Sequence, residues 1–305
     1  MNLAVIPEPQ VTPKSQRAPS LAPVLWREIP PARRWALVWP REHGAWGILL
    51  VSLITGAAAG FSSITNLPQL LWLVLAAMAA FCLRTPLENS FLASPFRARG
   101  LAERRWVIAV ALGYGLIGAL AAGMLIAGGG LGLVWMPAAV AAGLFGLQAL
   151  VKRWGRPGRL LGEITAAFGL AVVAVAAWAV AAGRFDSEAV MLWVMNGLFA
   201  TNQILYVQLR LRQTRGSNHS PPSRFKLLFF SGEAFTVAIL LAGWHASLIP
   251  GLALLAFLPI LVRGGVWSVR RKPQPLRIHR VGKTELAYAI LFGLLVIVGF
   301  RLPIP

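Results

Sequence analysis

Residues 39–61, WPREHGAWGILLVSLITGAAAGF, set Arg41, Glu42 and His43 directly against an uncharged run from residue 44 to residue 61. A run of that length is a membrane-crossing helix by arithmetic, since about 20 apolar residues at 1.5 Å each cover a hydrocarbon core of ~30 Å. A lone strand would leave its backbone polar groups unpaired in lipid. Trp39 and Trp46 bracket the charged trio and, with Trp35, fit an interfacial aromatic belt. The trio therefore either marks the water's edge or has chemistry to do there.

The rest of the chain has the same character. Of its 305 residues, 57% are apolar and 13% charged, with a mean hydropathy of +0.67, far outside the range of a water-soluble domain. Low-charge windows fall at about 44–61, 67–83, 106–127, 131–150, 160–182, 189–209, 225–243, 246–263 and 284–303. They predict an all-α polytopic membrane protein of nine helices, with a single membrane domain over residues 36–305.

The net charge of +19 comes from 29 Lys and Arg against 10 Asp and Glu. Its placement argues against nucleic acid as a partner. Of the 29, 27 lie before the first window or in alternate connections and their margins, leaving only Arg184 and Arg301 on the opposite side. This is a positive-inside pattern. The N-terminus is expected in the cytoplasm and the C-terminus on the periplasmic or extracellular face of a bacterial cytoplasmic membrane. The bilayer itself is the expected partner, with some attraction to anionic headgroups.

Residues 1–35 hold seven prolines and no apolar periodicity, and IPPARRW (29–35) leads into the membrane. They are expected to form a disordered cytoplasmic arm. No apolar core with a cleavage site precedes the first window, so no signal peptide is read. Cys82 is the one cysteine, which excludes an intramolecular disulfide and a cysteine zinc cluster. GYGLIG (113–118) matches a dinucleotide pattern but follows no strand. Its glycines, like Gly56 and Gly60, read as close helix contacts through small residues. No histidine pair has metal-ligand spacing, and neither a Walker loop nor a nucleophile elbow occurs. No metal or cofactor is expected.

Polar residues inside the windows crowd toward the basic side, and groups this costly to bury in lipid usually have a function. Asn196, Gln203 and Arg210 recur every seven residues, and Asn202, Tyr206 and Arg210 every four, so they share a helical face. Glu163 opens the window at 160–182, Glu285 opens the last one beside Lys283, and Arg84 with Glu88 closes the second. Glu233 lies about 12 Å into the window at 225–243, so it must find a partner, be protonated or face water. All of these except Asn196, together with Glu42 and His43, are expected to line one inward-facing polar chamber. Glu42, His43 and Glu233 are the candidate catalytic residues. Arg84, Glu88, Glu163, Asn202, Gln203, Tyr206, Arg210, Lys283 and Glu285 are the candidate ligand contacts. Plainer roles compete: Arg84, Arg210 and Arg212 as headgroup snorkels, Glu163 and Glu285 as first-turn carboxylates that complement the helix dipole, and Tyr206 as an interfacial anchor. In the opening stretch, His43 titrates near neutral pH and suits a polar headgroup or a proton transfer. Arg41 is the expected headgroup anchor, and Gly44 and Ala45 leave room for an approach to the backbone.

Four stretches together are specific: WPREHGAWGILL (39–50), RTPLE (84–88), YVQLRLR (206–212) and HRVGKTELAYAILFGLL (279–295). They resemble the YwiC-like family of bacterial membrane proteins over about residues 39–303, the HGAW block most specifically. That family brings no settled activity with it. The helix count and VGKTEL (281–286) also resemble the nine-helix UbiA-type prenyltransferase fold. This second resemblance implies an intramembrane aromatic-substrate prenyltransferase, with two aspartate-rich cytoplasmic motifs holding a magnesium diphosphate.

The chain departs from that chemistry. Its only aspartate, Asp186, falls in a connection on the far side. RTPLENSFLASP (84–95) stands where the first acidic motif belongs and offers only Glu88; YVQLRLRQTRG (206–216) stands at the second and offers only base. Magnesium needs hard oxygen ligands, whereas arginine binds an anion directly. The expectation is a UbiA-like bundle whose basic chamber binds an anionic or isoprenoid lipid, either as a metal-independent transferase or with no catalysis. A small-solute or ion transporter is the alternative, favoured by Glu233 and the polar face of 189–209 but without visible inverted repeats or short broken-helix pairs. A scaffold or assembly factor of a membrane complex is another.

Overall fold

The computed structural model describes residues 29–91, 97–155, 158–215, 223–269 and 278–302, and every regular element among them is helical. In chain order these are α1 (Pro31–Val38), α2 (His43–Gly60), α3 (Leu67–Phe91), α4 (Leu101–Ala127), α5 (Leu131–Lys152), α6 (Arg159–Ala171), α7 (Val173–Ala182), α8 (Ser187–Arg215), α9 (Ser223–His245), α10 (Gly251–Leu254), α11 (Leu258–Val269) and α12 (Ile278–Arg301), with short 3-10 turns at Ile64–Asn66 and Leu255–Phe257.

Among the described residues, seven stretches are helical, long and apolar enough to cross a membrane: Ile64–Ser90, Leu101–Ala127, Gly132–Lys152, Arg159–Ala182, Ser187–Arg212, Arg224–His245 and Val281–Arg301. The chain is a multi-pass membrane protein. The windows at 44–61 and 246–263 give shorter apolar helices, Gly44–Gly60 and Gly251–Trp267, each about 25 Å long at 1.5 Å per residue. The second is also displaced from its window. Ser247 adopts a positive φ of 57° and Pro250 is the N-cap of α10, so residues 246–250 turn and the helix starts at Gly251.

Two spans form the centre of the bundle. In Arg159–Ala182 and Ser187–Arg212, 67% and 56% of the apolar window is buried inside the protein, against 11–28% in the other five spans. Alanine makes the first of these possible. Ala174, Ala177 and Ala179 are fully buried, and a Cβ at Gly56 or Gly60 of α2 would run into the backbone of Ala174 or Trp178. The GAAAG stretch is thus the close helix contact its small residues indicate. GYGLIG is so only in part: Gly118 meets Ala79 of α3, whereas Gly113 and Gly115 face open space.

Polar groups tie this centre together. Asn196 of α8 donates to Thr55 Oγ1 at 3.1 Å and to the Leu192 carbonyl at 2.9 Å, while Ser52 donates to Asn196 Oδ1 at 3.2 Å. Asn196 is therefore a clamp between α2 and α8. Asp186 caps α8, accepting from the Ala189 amide at 3.0 Å and from Arg184 at 3.0 Å. An N-cap carboxylate of this kind satisfies an otherwise orphaned amide.

Part of the expected arm, residues 31–35, is helical, within α1. Residues 1–28 lie outside the described part. Proline suits a first helical turn, and Ala36, Leu37 and Val38 are buried, Leu37 and Val38 packing with Ala98 and Val107. Arg33 fixes the helix through hydrogen bonds of 2.9 and 3.0 Å to the two oxygens of Glu103.

Candidate functional site

Below α1, the turn at residues 39–42 and the ends of α3 and α5 enclose a cavity of about 310 Å³, lined in part by Trp39, Arg41, Glu42, Arg84, Glu88 and Lys152. Arg84 is its centre. Its Nε donates to Glu88 Oε1 at 2.9 Å, its Nη1 lies 3.7 Å from Glu42 Oε2, and Lys152 Nζ donates to the same Glu88 oxygen at 2.9 Å. Three cations face two carboxylates, which leaves the cavity net positive. Asn89 holds α1 over it by donating to the Leu37 carbonyl at 2.8 Å. Trp39 stacks on Trp46 with ring centroids 5.4 Å apart, and Trp46 in turn donates to the Pro40 carbonyl at 3.2 Å. The tryptophans thus fix the turn that carries Arg41 and Glu42.

A second cavity, of about 520 Å³, adjoins the first, and Arg84 and Phe81 line both. Ala76, Ala77, Ala80, Ala138, Ala141 and Ala142 line much of it. Those short side chains leave open the volume that leucines would fill. Val172 and Val173, where α6 breaks into α7, complete one wall with Gln148 and Thr165 as polar exceptions. Thr165 is satisfied by the Leu161 carbonyl at 2.8 Å. The joint arrangement is a charged vestibule opening on an apolar slot.

A separate cluster joins α8, α11 and α12. Arg263 Nη1 donates to both oxygens of Glu285 at 2.6 Å, and its Nη2 donates to Asn202 Oδ1 at 3.0 Å. The Tyr206 and Tyr288 rings lie 3.9 and 4.8 Å from the guanidinium carbon, a cation–π clamp. Gln203 donates to the Glu285 carbonyl at 3.0 Å. Glu233 of α9 sits at the edge of this cluster beside Asn202 and Gly264. Glu163 forms a third group: Arg159 and Gln208 donate to its two oxygens at 2.9 Å each, fastening α6 to α8.

The structure therefore gathers the sequence-predicted residues in three groups rather than around one chamber. Glu42, Arg84 and Glu88 meet in the vestibule; Asn202, Gln203, Tyr206, Glu233 and Glu285 meet around Arg263; Glu163 stands apart as a helix tie. Arg210 approaches the Tyr206 side of the Arg263 cluster, Lys283 is exposed, and the His43 side chain lies outside the described part. Arg263 is the chief residue missed. Its position at the very end of the window at 246–263 made it look like one more topology charge, and nothing local marks it as paired. Lys152 was hidden the same way at a helix end. Gln148, an isolated amide in an apolar window, was a readable signal.

Residues 39–178 match the family described as YwiC-like protein. Over those residues, a little under half of its length, the chain is similar to the YwiC-like family. The YwiC-like segment contains every residue lining the apolar cavity and all those lining the vestibule except Ala36. The YVQLRLR and HRVGKTEL stretches and the Arg263 cluster fall outside it. No curated protein and no solved structure matches the chain.

Proposed function

We propose that this YwiC-like protein binds a lipid whose anionic head sits beside Arg84 and whose tail occupies the adjoining apolar slot. The observation that carries this reading is the shared wall: Arg84 and Phe81 line both cavities. A phosphate would take the Arg84 fork from Glu88 and gain Lys152 as a point charge. An isoprenoid phosphate matches the pairing of head and tail, as does an anionic phospholipid. No divalent ion is needed, because cationic side chains meet the head directly, and the single aspartate serves as the α8 cap.

In this reading α2 and the α10–α11 segment also cross the membrane, giving nine crossings of a UbiA-like bundle in the bacterial cytoplasmic membrane. Glu42 at the head of α2 meets Arg84 near the end of α3, while the end of α2 runs into the start of α3 through the turn at Ile64–Asn66. The short helix thus covers nearly the distance that a long one does. Along α12, Gly299 abuts Ala253 of α10 and Glu285 pairs with Arg263 of α11, which supports the same inference for α10–α11. With the basic connections inside, a reporter at Gly129 reads periplasmic and one at Gly155 cytoplasmic. Both signs reverse if α2 does not cross. A reporter at Pro305 reads periplasmic, and cytoplasmic if α2 crosses but α10–α11 does not.

The binding test uses the full chain in detergent or nanodiscs. Thermal unfolding is followed with a long-chain isoprenoid phosphate, an anionic phospholipid, the isoprenoid alcohol and inorganic phosphate. Stabilisation by at least one of the two lipids, lost in Arg84→Gln and kept in Arg184→Gln, is the expected result. An equal response in Arg84→Gln removes the head site. A response to inorganic phosphate equal to that of the lipids removes the tail slot.

A further inference from the structure

Glu233 lies near the middle of the candidate span Arg224–His245, ten residues into α9, and its carboxylate is held against α11. A Cβ on Gly264 would collide with that carboxylate, so any side chain there would push the Glu233 tip out of this position. Its Oε1 is buried and has no hydrogen-bond partner among the described residues. Asn202 is its polar neighbour on α8, and Arg263 is the cation beside it.

The two terminal nitrogens of that cation are committed, while its Nε is buried with no hydrogen-bond partner among the described residues. Arg263 gives Nη1 to both Glu285 oxygens and Nη2 to Asn202, while Tyr206 and Tyr288 flank its guanidinium. Turning Nη1 or Nη2 to Glu233 would break the buried Glu285 ion pair or the Asn202 hydrogen bond. The other charged groups on these elements lie farther out: Lys226 is two turns along α9, Lys283 is exposed on α12, and Arg210 is one turn beyond Tyr206 on α8. One guanidinium thus stands against two carboxylates. An unpaired carboxylate at this depth is costly enough to be neutralised rather than left charged.

We propose that Glu233 is a proton-binding site: its carboxylate takes one proton from water to become the neutral acid while Arg263 and Glu285 stay ionised beside it. Release returns that proton to water and leaves the cluster with one net negative charge. Gln203, Tyr206 and Arg210, on one face of α8, lead from the cluster toward the end of the helix. The site is independent of the lipid reading, which concerns the other half of the chain.

Infrared spectroscopy of the reconstituted full chain tests this. Near neutral pH the protein should show a protonated-carboxyl carbonyl stretch. Glu233→Gln, which is isosteric with the neutral acid, should lose that band, and Glu188→Gln, at an exposed position on α8, should keep it. A band that survives Glu233→Gln, or its absence from the parent protein, overturns the proposal. A second measurement replaces sodium and potassium by choline at fixed ionic strength and follows thermal unfolding. No difference between parent and Glu233→Gln is expected; a parent-specific loss of stability without the metal cation would make Glu233 a monovalent-cation site and overturn the proton assignment.

Discussion

Arg84 and Arg263 each pair with a glutamate inside one helical bundle, yet their surroundings differ. Around Arg84 the partners include Glu42, whose side chain is 67% exposed, and a cavity of about 310 Å³ reaches the group. Around Arg263 the partner Glu285 is 14% exposed and two tyrosine rings close over the guanidinium. The first group is an open pair that an incoming anion can rearrange. The second is a closed pair that holds α8, α11 and α12 together and leaves its neighbour Glu233 without a counter-ion of its own. Residue type does not separate them; packing does.

The largest expected effect tests the closed group. Arg263→Ala strands Glu285 in a buried site and leaves Asn202 without its donor. Breaking one side of a buried ion pair costs roughly 3–5 kcal/mol. Thermal unfolding in detergent should show a severe loss, and a drop no larger than that of Arg84→Gln would mean the two groups are not different in kind.

A smaller effect compares the packing of the two halves. Gly299 of α12 meets Ala253 so closely that a Cβ would overlap the backbone. Gly299→Leu should therefore cost about 1–3 kcal/mol by overpacking. Ala141 lines the apolar slot, and Ala141→Leu places its added carbons in open volume, with no loss of stability expected. Equal destabilisation by both would show that the slot is as tightly packed as the α10–α12 contact.

This contrast also explains what the sequence could reveal. Helix content and most spans follow from local length and hydropathy, so α3 to α9 and α12 are legible. The α2–α7 contact is legible too, because Gly56 and Gly60 lack the side chains that would prevent it. The site is legible only as a set of polar residues. Assigning Arg84 to an open vestibule and Glu285 to a closed pair depends on Lys152 and Arg263, which are distant in sequence from the residues they meet. The same limit applies to the break at residue 172 and the alanine-lined slot, since no local pattern marks an empty volume.

The smallest expected effect returns to Glu42. Its carboxylate lies 3.7 Å from Arg84 and is mostly in solvent, so the attraction is screened and offset by the freedom lost in holding the side chain. Glu42→Gln should change stability by less than about 0.5 kcal/mol, near the detection limit of thermal unfolding. Its effect on ligand binding should have the opposite sign to that of Arg84→Gln. Removing one carboxylate makes the vestibule more positive and frees Arg84 from a competitor, so an anionic lipid should bind more tightly. Comparing the two variants with the same lipid, at low and at physiological salt, checks this. The gain should shrink as salt screens the vestibule. Weaker binding in Glu42→Gln would mean that Glu42 contacts the head through a hydrogen bond rather than competing for Arg84, making it part of the binding surface instead of a marker of the water's edge.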